Sequence, residues 1–328
     1  MNVGINVSDL KYDLMRDYAV RAEEKGLDSV WVGETWGWEA FTLLGELSQL
    51  TNEITLGTGI VPVYTRSPAL LGQAAATAAE ASDGRFVLGL GTSGPAVIEN
   101  WHGDDFERPI GYTAETIDVV EQVLSGETVS HDGTSFQLDG FRFRAEQETD
   151  GIPVYVGALG ASNVRMSGAL ADGWMPIFVP RPRIEALYEE FAESATQRGR
   201  DPETLSVAPN TVAAISEDGT RARQAVRHHI AFYVGAMGDF YHRTLSEAGF
   251  ERNADAIREA WQESGPEAAA ETISDSVIDE TTIAGTPRQA HEQLDSFAET
   301  PADEIHLFFP RAAGTDLMES TIDHLAEY

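Results

Sequence analysis

Three glycines at the end of the fourth predicted strand have the spacing G-x-G-x-x-G: Gly89, Gly91 and Gly94, in GRFVLGLGTSGPAVIENWHG. In dinucleotide-binding folds this spacing ends the first strand of a unit, a helix follows at once, and an acid ends the next strand about 20 residues later. Here the next helix begins only after a long loop, and the acids at that distance, Glu115 and Asp118, fall inside an amphipathic helix. The context argues against a dinucleotide site.

The same glycines predict a strand that is thinned for close approach. Gly89 and Gly91 lack side chains where neighbouring strands and a flat ligand would meet, and Thr92 and Ser93 offer hydroxyls in the loop beyond. A purely structural interpretation, in which glycine relieves crowding between strands, also explains Gly89. We predict that Thr92 and Ser93 contact the bound ligand.

A second small-residue segment, VGALGASNVRMSG, leads into a predicted helix. Its glycines and alanines let a backbone approach closely, and the amides that open a helix point toward an anion. A phosphate fits such a turn, with a ligand-free tight turn as the alternative. The predicted contacts are Gly157, Ala158, Leu159, Gly160 and Ala161.

Ring side chains lie in the loops that follow the predicted strands. His102, after strand four, is our candidate proton donor. His228 and His229 are adjacent on a predicted helix and point apart, and the other histidines lack ligand spacing, so no metal site is expected. Four aromatic residues could either wall a substrate pocket or simply pack: Trp36, Trp38, Tyr64 and Trp101.

Strands and helices alternate along the chain as in βα units with parallel strands. The predicted strands are 2–7, 28–34, 54–61, 85–91, 153–158, 172–178, 205–215 and 303–309. Eight repeats predict an α/β fold, a (β/α)8 TIM barrel, as one domain over residues 1–328. A hairpin insertion at about 125–150 and a helical extension at about 235–285 are expected at or beside the C-terminal mouth of the barrel.

The composition is strongly acidic: 22 Lys plus Arg against 54 Asp plus Glu give a formal net charge of −32, and Lys11 and Lys25 are the only lysines. We interpret this as adaptation to a high-salt cytosol, with an unusually acidic mesophilic enzyme as the alternative. Such a surface repels nucleic acid and anionic membranes. Without cysteine, disulfides and thiolate chemistry are excluded, and a cytoplasmic enzyme with a small-molecule substrate is expected.

With their surroundings, these motifs resemble the bacterial luciferase-like superfamily of barrel oxidoreductases, particularly its branch that uses the deazaflavin coenzyme F420. The resemblance spans nearly the whole chain and rests on VWVGET, on the stretch from LGTGIVPVYTRSPALL to the glycine motif, on PVYVGALGASNVRMSGALADGWMP and on AGTPRQAHEQLDSFAETPADEIHLFF. It implies hydride transfer between F420 and a small organic substrate, in a homodimer. The acidic composition suggests a haloarchaeal member.

The resemblance also implies where the cofactor lies. Its ring is expected at the barrel mouth, against a bulge in strand three that has a non-prolyl cis peptide near Gly59 and Ile60, next to Thr58. Glu34 matches an acid that touches the cofactor and is expected to be catalytic, and Asn6 is expected to contact the cofactor as well. The turn at 157–161 would hold its phosphate.

Three positions depart from better-known relatives. Thr35 stands where F420-dependent glucose-6-phosphate dehydrogenases carry a catalytic histidine. Gly94 stands where these enzymes and the methylenetetrahydromethanopterin reductases carry an acid, and Asn6 where the reductases carry another. The departures argue against both activities and leave the substrate open. An FMN-dependent monooxygenase of the same superfamily and a flavin-fold protein that binds ligand without turnover remain alternatives.

Overall fold

Parallel strands close into a barrel in the computed structural model, which describes residues 1–145 and 151–328. In chain order the strands are β1 (Asn2–Asn6), β2 (Ser29–Val32), β3 (Thr55–Thr58), β4 (Val61–Pro62), β5 (Phe86–Gly91), β6 (Val129–Asp132), β7 (Gln137–Phe141), β8 (Val154–Val156), β9 (Gly173–Trp174), β10 (Ser206–Val207), β11 (Asn210–Ile215), β12 (Ile283–Gly285) and β13 (Glu304–Phe308).

The barrel is ordered β1, β2, β3, β5, β8, β9, β10–β11 and β13, and β13 pairs with β1 to close it. β10 and β11 serve as one strand, because β10 pairs with β9 while β11 pairs with β13. β4 continues β3 beyond a break and also pairs with β5. The predicted eight-stranded (β/α)8 barrel is confirmed in the described part of the chain.

Helices cover the barrel. They are α1 (Tyr12–Glu24), α2 (Ala40–Leu50), α3 (Pro68–Ala81), α4 (Pro95–Val97), α5 (Pro109–Leu124), α6 (Ala161–Leu170), α7 (Arg181–Gln197), α8 (Gly219–Ala236), α9 (Asp239–Leu245), α10 (Glu251–Ser264), α11 (Pro266–Glu271), α12 (Asp275–Thr281), α13 (Pro287–Ala298) and α14 (Thr315–Leu325). Sequence signals explain where several of these helices begin. Ser67 caps α3 with Pro68 in its first turn, and Thr286 with Gln289 forms a capping box at α13.

Large side chains fill the barrel interior, so it is a packed core rather than a pore. The Trp31 ring stacks on His306 and on Tyr155, with ring centroids 4.0 Å and 6.0 Å apart. Glycines make this space: a Cβ on Gly57 would lie 2.3 Å from Trp31 Cζ3, and one on Gly173 would lie 2.5 Å from Tyr155 Cδ1. A ligand site must therefore lie above this layer, at the carboxyl ends of the strands.

Two segments depart from simple βα repeats. β6 and β7 pair antiparallel inside the predicted hairpin region, of which residues 146–150 lie outside the described residues. Helices α8 to α12 connect β11 to β12, and β12 pairs in parallel with the last three residues of β11. The region predicted as a helical extension contains α9 to α12. None of the described helices combines the length and apolar character needed to span a bilayer.

Candidate functional site

The break between β3 and β4 is a bulge at the barrel mouth. The peptide bond between Gly59 and Ile60 is cis, which confirms the expectation for strand three. Two backbone hydrogen bonds tie the bulge to the end of β2: Gly59 N–H donates to Val32 O at 2.9 Å, and Glu34 N–H donates to Ile60 O at 2.9 Å. Both bulge residues are half-buried, so they reach the mouth.

Asn6 lies beneath the bulge, at the end of β1. Its Nδ2 donates to Gly59 O at 3.2 Å, and its Oδ1 accepts from Ser8 N at 3.0 Å and from the Ser8 hydroxyl. Asn6 is 5% exposed. An ionised carboxylate here could not donate to Gly59 O, so asparagine suits this local network better than the acid of the reductases. In this structure Asn6 orients the bulge, and its predicted contact with a cofactor stays a prediction.

The Thr58 side chain lies inside the sheet, below the bulge. Its hydroxyl donates to Gly89 O at 2.8 Å and accepts from Gly89 N at 2.7 Å, and Thr58 is fully buried. The side chain therefore joins β3 to β5 inside the sheet and does not line the mouth. The Thr58 hydroxyl thus supports the bulge from behind, and the predicted contact of Thr58 with a cofactor stays a prediction.

The three glycines of the G-x-G-x-x-G motif have three different environments. A Cβ on Gly89 would lie 1.9 Å from Thr58 O, so this glycine relieves crowding between strands. A Cβ on Gly91 would lie 2.8 Å from Ile60 Cδ1, so this glycine makes room for the bulge side chain. A Cβ on Gly94 would meet no described atom within 4 Å. The motif thus leaves room for the Ile60 side chain, which we call the floor of the mouth, and open space beyond it.

Thr92 and Ser93 lie half-buried between Gly91 and the open position. Ser93 has a left-handed φ of 57°, and Thr92 Oγ1 donates to Ser93 O at 3.2 Å. Both hydroxyls are at the mouth, and their contact with a ligand remains a prediction.

The glycine turn after β8 opens α6 beside Gly91, because β8 and β5 are neighbouring strands. Gly157 N–H donates to Leu90 O at 2.8 Å, which ties the turn to β5. Gly160 is the residue before the helix and brings no capping side chain, and a Cβ added there would meet no described atom within 4 Å. The first amides of α6 are therefore open to an anion. Ala158 is buried, with Leu159 and Ala161 half-buried around it.

Glu34 is held in a two-pronged ion pair with Arg66. Arg66 Nη1 and Nη2 donate to Glu34 Oε1 and Oε2 at 2.7 and 2.9 Å, and Ala40 N–H donates to Oε2 at 3.1 Å. Arg66 also pairs with Glu39. With Glu34 9% exposed and both oxygens engaged, its carboxylate fixes the loop after β2. A direct catalytic role for it stays a prediction.

The predicted aromatic pocket divides into exposed and buried members. Trp36, Trp38 and Trp101 are 45%, 52% and 65% exposed. Tyr64 is buried instead: its ring stacks on Tyr112 with centroids 4.3 Å apart, and its hydroxyl donates to Glu107 O at 2.8 Å. In this structure Tyr64 packs against neighbouring rings, and its predicted place in a substrate pocket stays a prediction.

The candidate proton donor His102 is exposed in the loop after β5. It is the last residue of the π-helical turn Ile98–His102, next to the exposed Trp101. Its role in proton transfer remains a prediction. Among the described residues, no group of three His, Asp or Glu side chains is arranged to hold a metal.

A buried histidine at the mouth was not identified from the sequence. His229, on α8, packs among Phe178, Tyr233 and Phe308, which come from β9, α8 and β13 or the residues just after them. Its Nδ1 accepts from Arg311 N–H at 3.2 Å. Burial, together with the positive charge of Arg311, lowers the pKa of His229 to about 3, so the ring is neutral. The signal available in the sequence was the apolar residues at the ends of predicted strands six and eight, which indicate an apolar surface for a helix to cover.

Comparison with known proteins gives consistent matches. The family model described as luciferase-like monooxygenase matches residues 4–304. A Mycobacterium tuberculosis protein assigned as a coenzyme F420-dependent oxidoreductase is 30% identical over 299 residues, 83% of this chain and 84% of the relative. The 5,10-methylenetetrahydromethanopterin reductase of Methanolobus tindarius is 29% identical, covering 88% and 87%. The solved F420-dependent tetrahydromethanopterin reductase of Methanopyrus kandleri has the same fold, with a TM-score of 0.87, 22% identity and coverage of 100% and 98%.

Proposed function

Because this chain belongs to the luciferase-like monooxygenase family, we propose that it is an F420-dependent oxidoreductase that transfers a hydride between the deazaflavin and a small organic substrate. The 30% identical relative is assigned to F420-dependent oxidation and reduction, and the reductase of Methanolobus tindarius supports the same class of reaction. The observation that carries the proposal is the mouth itself, where the floor at Ile60 lies beside two glycine segments that leave space around it.

The residues present fit this cofactor. The Ile60 side chain lies against the ends of β5 and β8: a Cβ on Gly91 would lie 2.8 Å from Ile60 Cδ1, and one on Gly157 would lie 3.4 Å from Ile60 Cγ2. A planar ring can lie flat against this floor. The uncapped start of α6 at Gly160 offers amides and a positive helix end to a phosphate. When bound, the cofactor supplies hydride transfer, and the chain binds it, orients one ring face and limits water.

The substrate side of the proposal uses the exposed mouth residues. Trp36, Trp38 and Trp101 would contact a planar or apolar substrate, and His102 would hold or release a proton at the solvent edge. Thr92 and Ser93 would also contact the cofactor, which would lie between these two residues and the floor at Ile60. A homodimer remains part of the proposal, and size-exclusion chromatography with light scattering tests it.

The test is a titration of the purified protein, in high salt, with F420 and FMN side by side. We expect F420 to bind and FMN not to bind, followed by turnover with at least one alcohol or carbonyl compound. Binding of FMN with oxygen uptake would instead support a monooxygenase. Cofactor binding without turnover across a broad substrate panel would support a ligand-binding protein.

A matched pair of variants at Gly160 tests the phosphate position. Gly160 has an extended backbone and open space, so asparagine and aspartate can both cap α6 and should keep or slightly raise stability. Gly160→Asp adds a negative charge at the phosphate, and we expect the Kd of F420 to rise about tenfold or more, against about threefold or less for Gly160→Asn. Equal Kd values for Gly160→Asp and the parent would place the phosphate elsewhere.

A further inference from the structure

The His229 ring carries a hydrogen-bond donor that its surroundings do not use. Because Nδ1 accepts from Arg311 N–H, the neutral ring carries its proton on Nε2. Nε2 is buried and has no hydrogen-bond partner among residues 1–145 and 151–328. His229 is 5% exposed. A buried donor without an acceptor is unfavourable, so an unpaired one calls for a specific explanation.

The surroundings of Nε2 are aromatic. The His229 ring stacks on Tyr233 at 5.0 Å and lies 5.4 Å from Phe178 and 5.1 Å from Phe308, measured between ring centroids. Tyr233 and Phe308 are half-buried and reach the surface of the mouth, whereas Phe178 is buried. Nε2 is therefore covered by aromatic side chains, and two of them, Tyr233 and Phe308, are themselves only half-buried.

The strand order relates the position of the His229 cluster to that of the candidate cofactor floor. Phe308 is the last residue of β13, and Phe178 lies in the segment that follows β9. These two strands flank β10–β11. In the eight-strand order, β10–β11 lies four strands from β3 in either direction, so the His229 cluster and the bulge at Ile60 are on opposite sides of the mouth. The space between them is where a substrate would meet a cofactor ring.

We propose that His229 Nε2–H donates a hydrogen bond to the oxygen of an uncharged carbonyl or secondary-alcohol substrate whose apolar groups pack on Phe178 and Phe308. Its relevance to turnover rests on the proposed function. The ring stays neutral at working pH, so it offers no positive charge to a carboxylate, and an anionic substrate would enter an aromatic site without a counter-ion. A neutral imidazole can still polarise a carbonyl oxygen.

Two substitutions at position 229 distinguish the donor at Nε2 from the contact that Nδ1 makes with Arg311 N–H. Asparagine at position 229 keeps an acceptor for Arg311 N–H and removes the group at Nε2, whereas glutamine can place an amide N–H near the Nε2 position. The control is His228→Asn, because His228 lies next in sequence and bonds Gln224 on the same helix. The probe is acetophenone, titrated calorimetrically into the protein with and without F420.

We expect the Kd of acetophenone to rise about tenfold or more in His229→Asn, and to stay within about threefold of the parent in His229→Gln and His228→Asn. The Kd of F420 should be unchanged in all three. Imidazole ¹⁵N NMR of the parent should show the Nε2 resonance shift on addition of acetophenone, which remains decisive if His229→Asn fails to fold. No binding of acetophenone, an unmoved Nε2 resonance, or equal affinity in a folded His229→Asn would overturn the proposal. Failure of F420 to bind would remove the proposed function alone, since the titration without F420 still tests His229.

Discussion

The ion pair between Glu34 and Arg66 decides how the loop after β2 meets the cofactor floor. The Glu34 side chain is 10% exposed and the Arg66 side chain 14%, so the pair is poorly screened by water. The backbone N–H of Glu34 also donates to Ile60 O. A change in the carboxylate is therefore transmitted to the bulge through one residue. The structure thus shows Glu34 in positioning contacts, and its predicted catalytic role stays a prediction.

Glu34→Gln should lower the free energy of unfolding by about 1–3 kcal/mol, because it leaves the Arg66 guanidinium with a weaker buried partner. The control is Glu39→Gln, since Glu39 also pairs with Arg66 but its side chain is 44% exposed, and we expect less than about 1 kcal/mol there. Urea unfolding of both variants measures the difference. Unchanged stability of Glu34→Gln together with lost turnover would restore a direct catalytic role.

Sequence reasoning located Glu34 but could not identify its partner. Arg66 is 32 positions away, and equal arguments could be made for a helix-start ion pair or for contact with an anionic cofactor. His229 was missed for a related reason, because its environment exists only once α8 lies against the ends of β9 and β13. Side-chain partners that come from distant elements depend on the angles between those elements, which the sequence pattern does not show.

At the scale of elements, the glycine motif on β5 shows that one sequence pattern can serve separate structural needs. Gly89 lies against the backbone of β3, while Gly94 begins the short helix α4 in open space. The sequence predicted a long loop after Gly94, which was wrong, because α4 and a π-helical turn follow at once. The dinucleotide interpretation is still excluded, because the motif ends a later strand of a barrel and Glu115 lies within α5. β5 must pass close to both the bulge and the Thr58 hydroxyl.

Gly89→Ala and Gly94→Ala form a matched pair within this motif. The new Cβ at position 89 would lie 1.9 Å from a backbone oxygen inside the sheet, and we expect a loss of about 3 kcal/mol or more, or an insoluble product. At position 94 the backbone is extended and the space is open, so stability should change by about 0.5 kcal/mol or less. Thermal unfolding distinguishes them, and similar losses in both variants would contradict this account of β5.

The eight barrel strands and the main helices between them followed from the sequence, because apolar runs and amphipathic stretches alternate in a regular way. The short elements α4 and β12 were not predicted. Two of the predicted strands are each divided into two shorter strands in the structure. The run 54–61 is broken at Gly59, and the run 205–215 is broken before Asn210, where Pro209 has no N–H to donate to a sheet. Both residues are visible in the sequence, but whether a glycine or a proline ends a strand or only interrupts it depends on the neighbouring strands.

At the scale of the whole molecule, electrostatic repulsion opposes the compact state. The net charge of −32 is distributed over a protein whose ion pairs are mainly exposed, such as Lys25 with Asp323, at 2.8 Å and 42% and 37% side-chain exposure. Exposed pairs contribute about 0–1 kcal/mol each, whereas repulsion among unpaired acids acts over the full Debye length. Salt weakens both, and with this excess of acids we infer that it weakens repulsion more.

The melting temperature should therefore rise by about 5–10 °C between 0.1 M and 2 M KCl, as the Debye length falls from about 10 Å to below about 3 Å. Glu185 and Glu189 are exposed one turn apart on α7, so replacing Glu189 alone with lysine raises the net charge by 2, from −32 to −30, and turns a like-charge pair into an oppositely charged one. We expect this variant to be more stable than the parent protein at 0.1 M KCl, and we expect added salt to raise its melting temperature by less. Differential scanning calorimetry in a KCl series measures both slopes. If the melting temperature is flat or falls with salt, repulsion does not limit stability, and the acidic composition would belong to an ordinary low-salt enzyme.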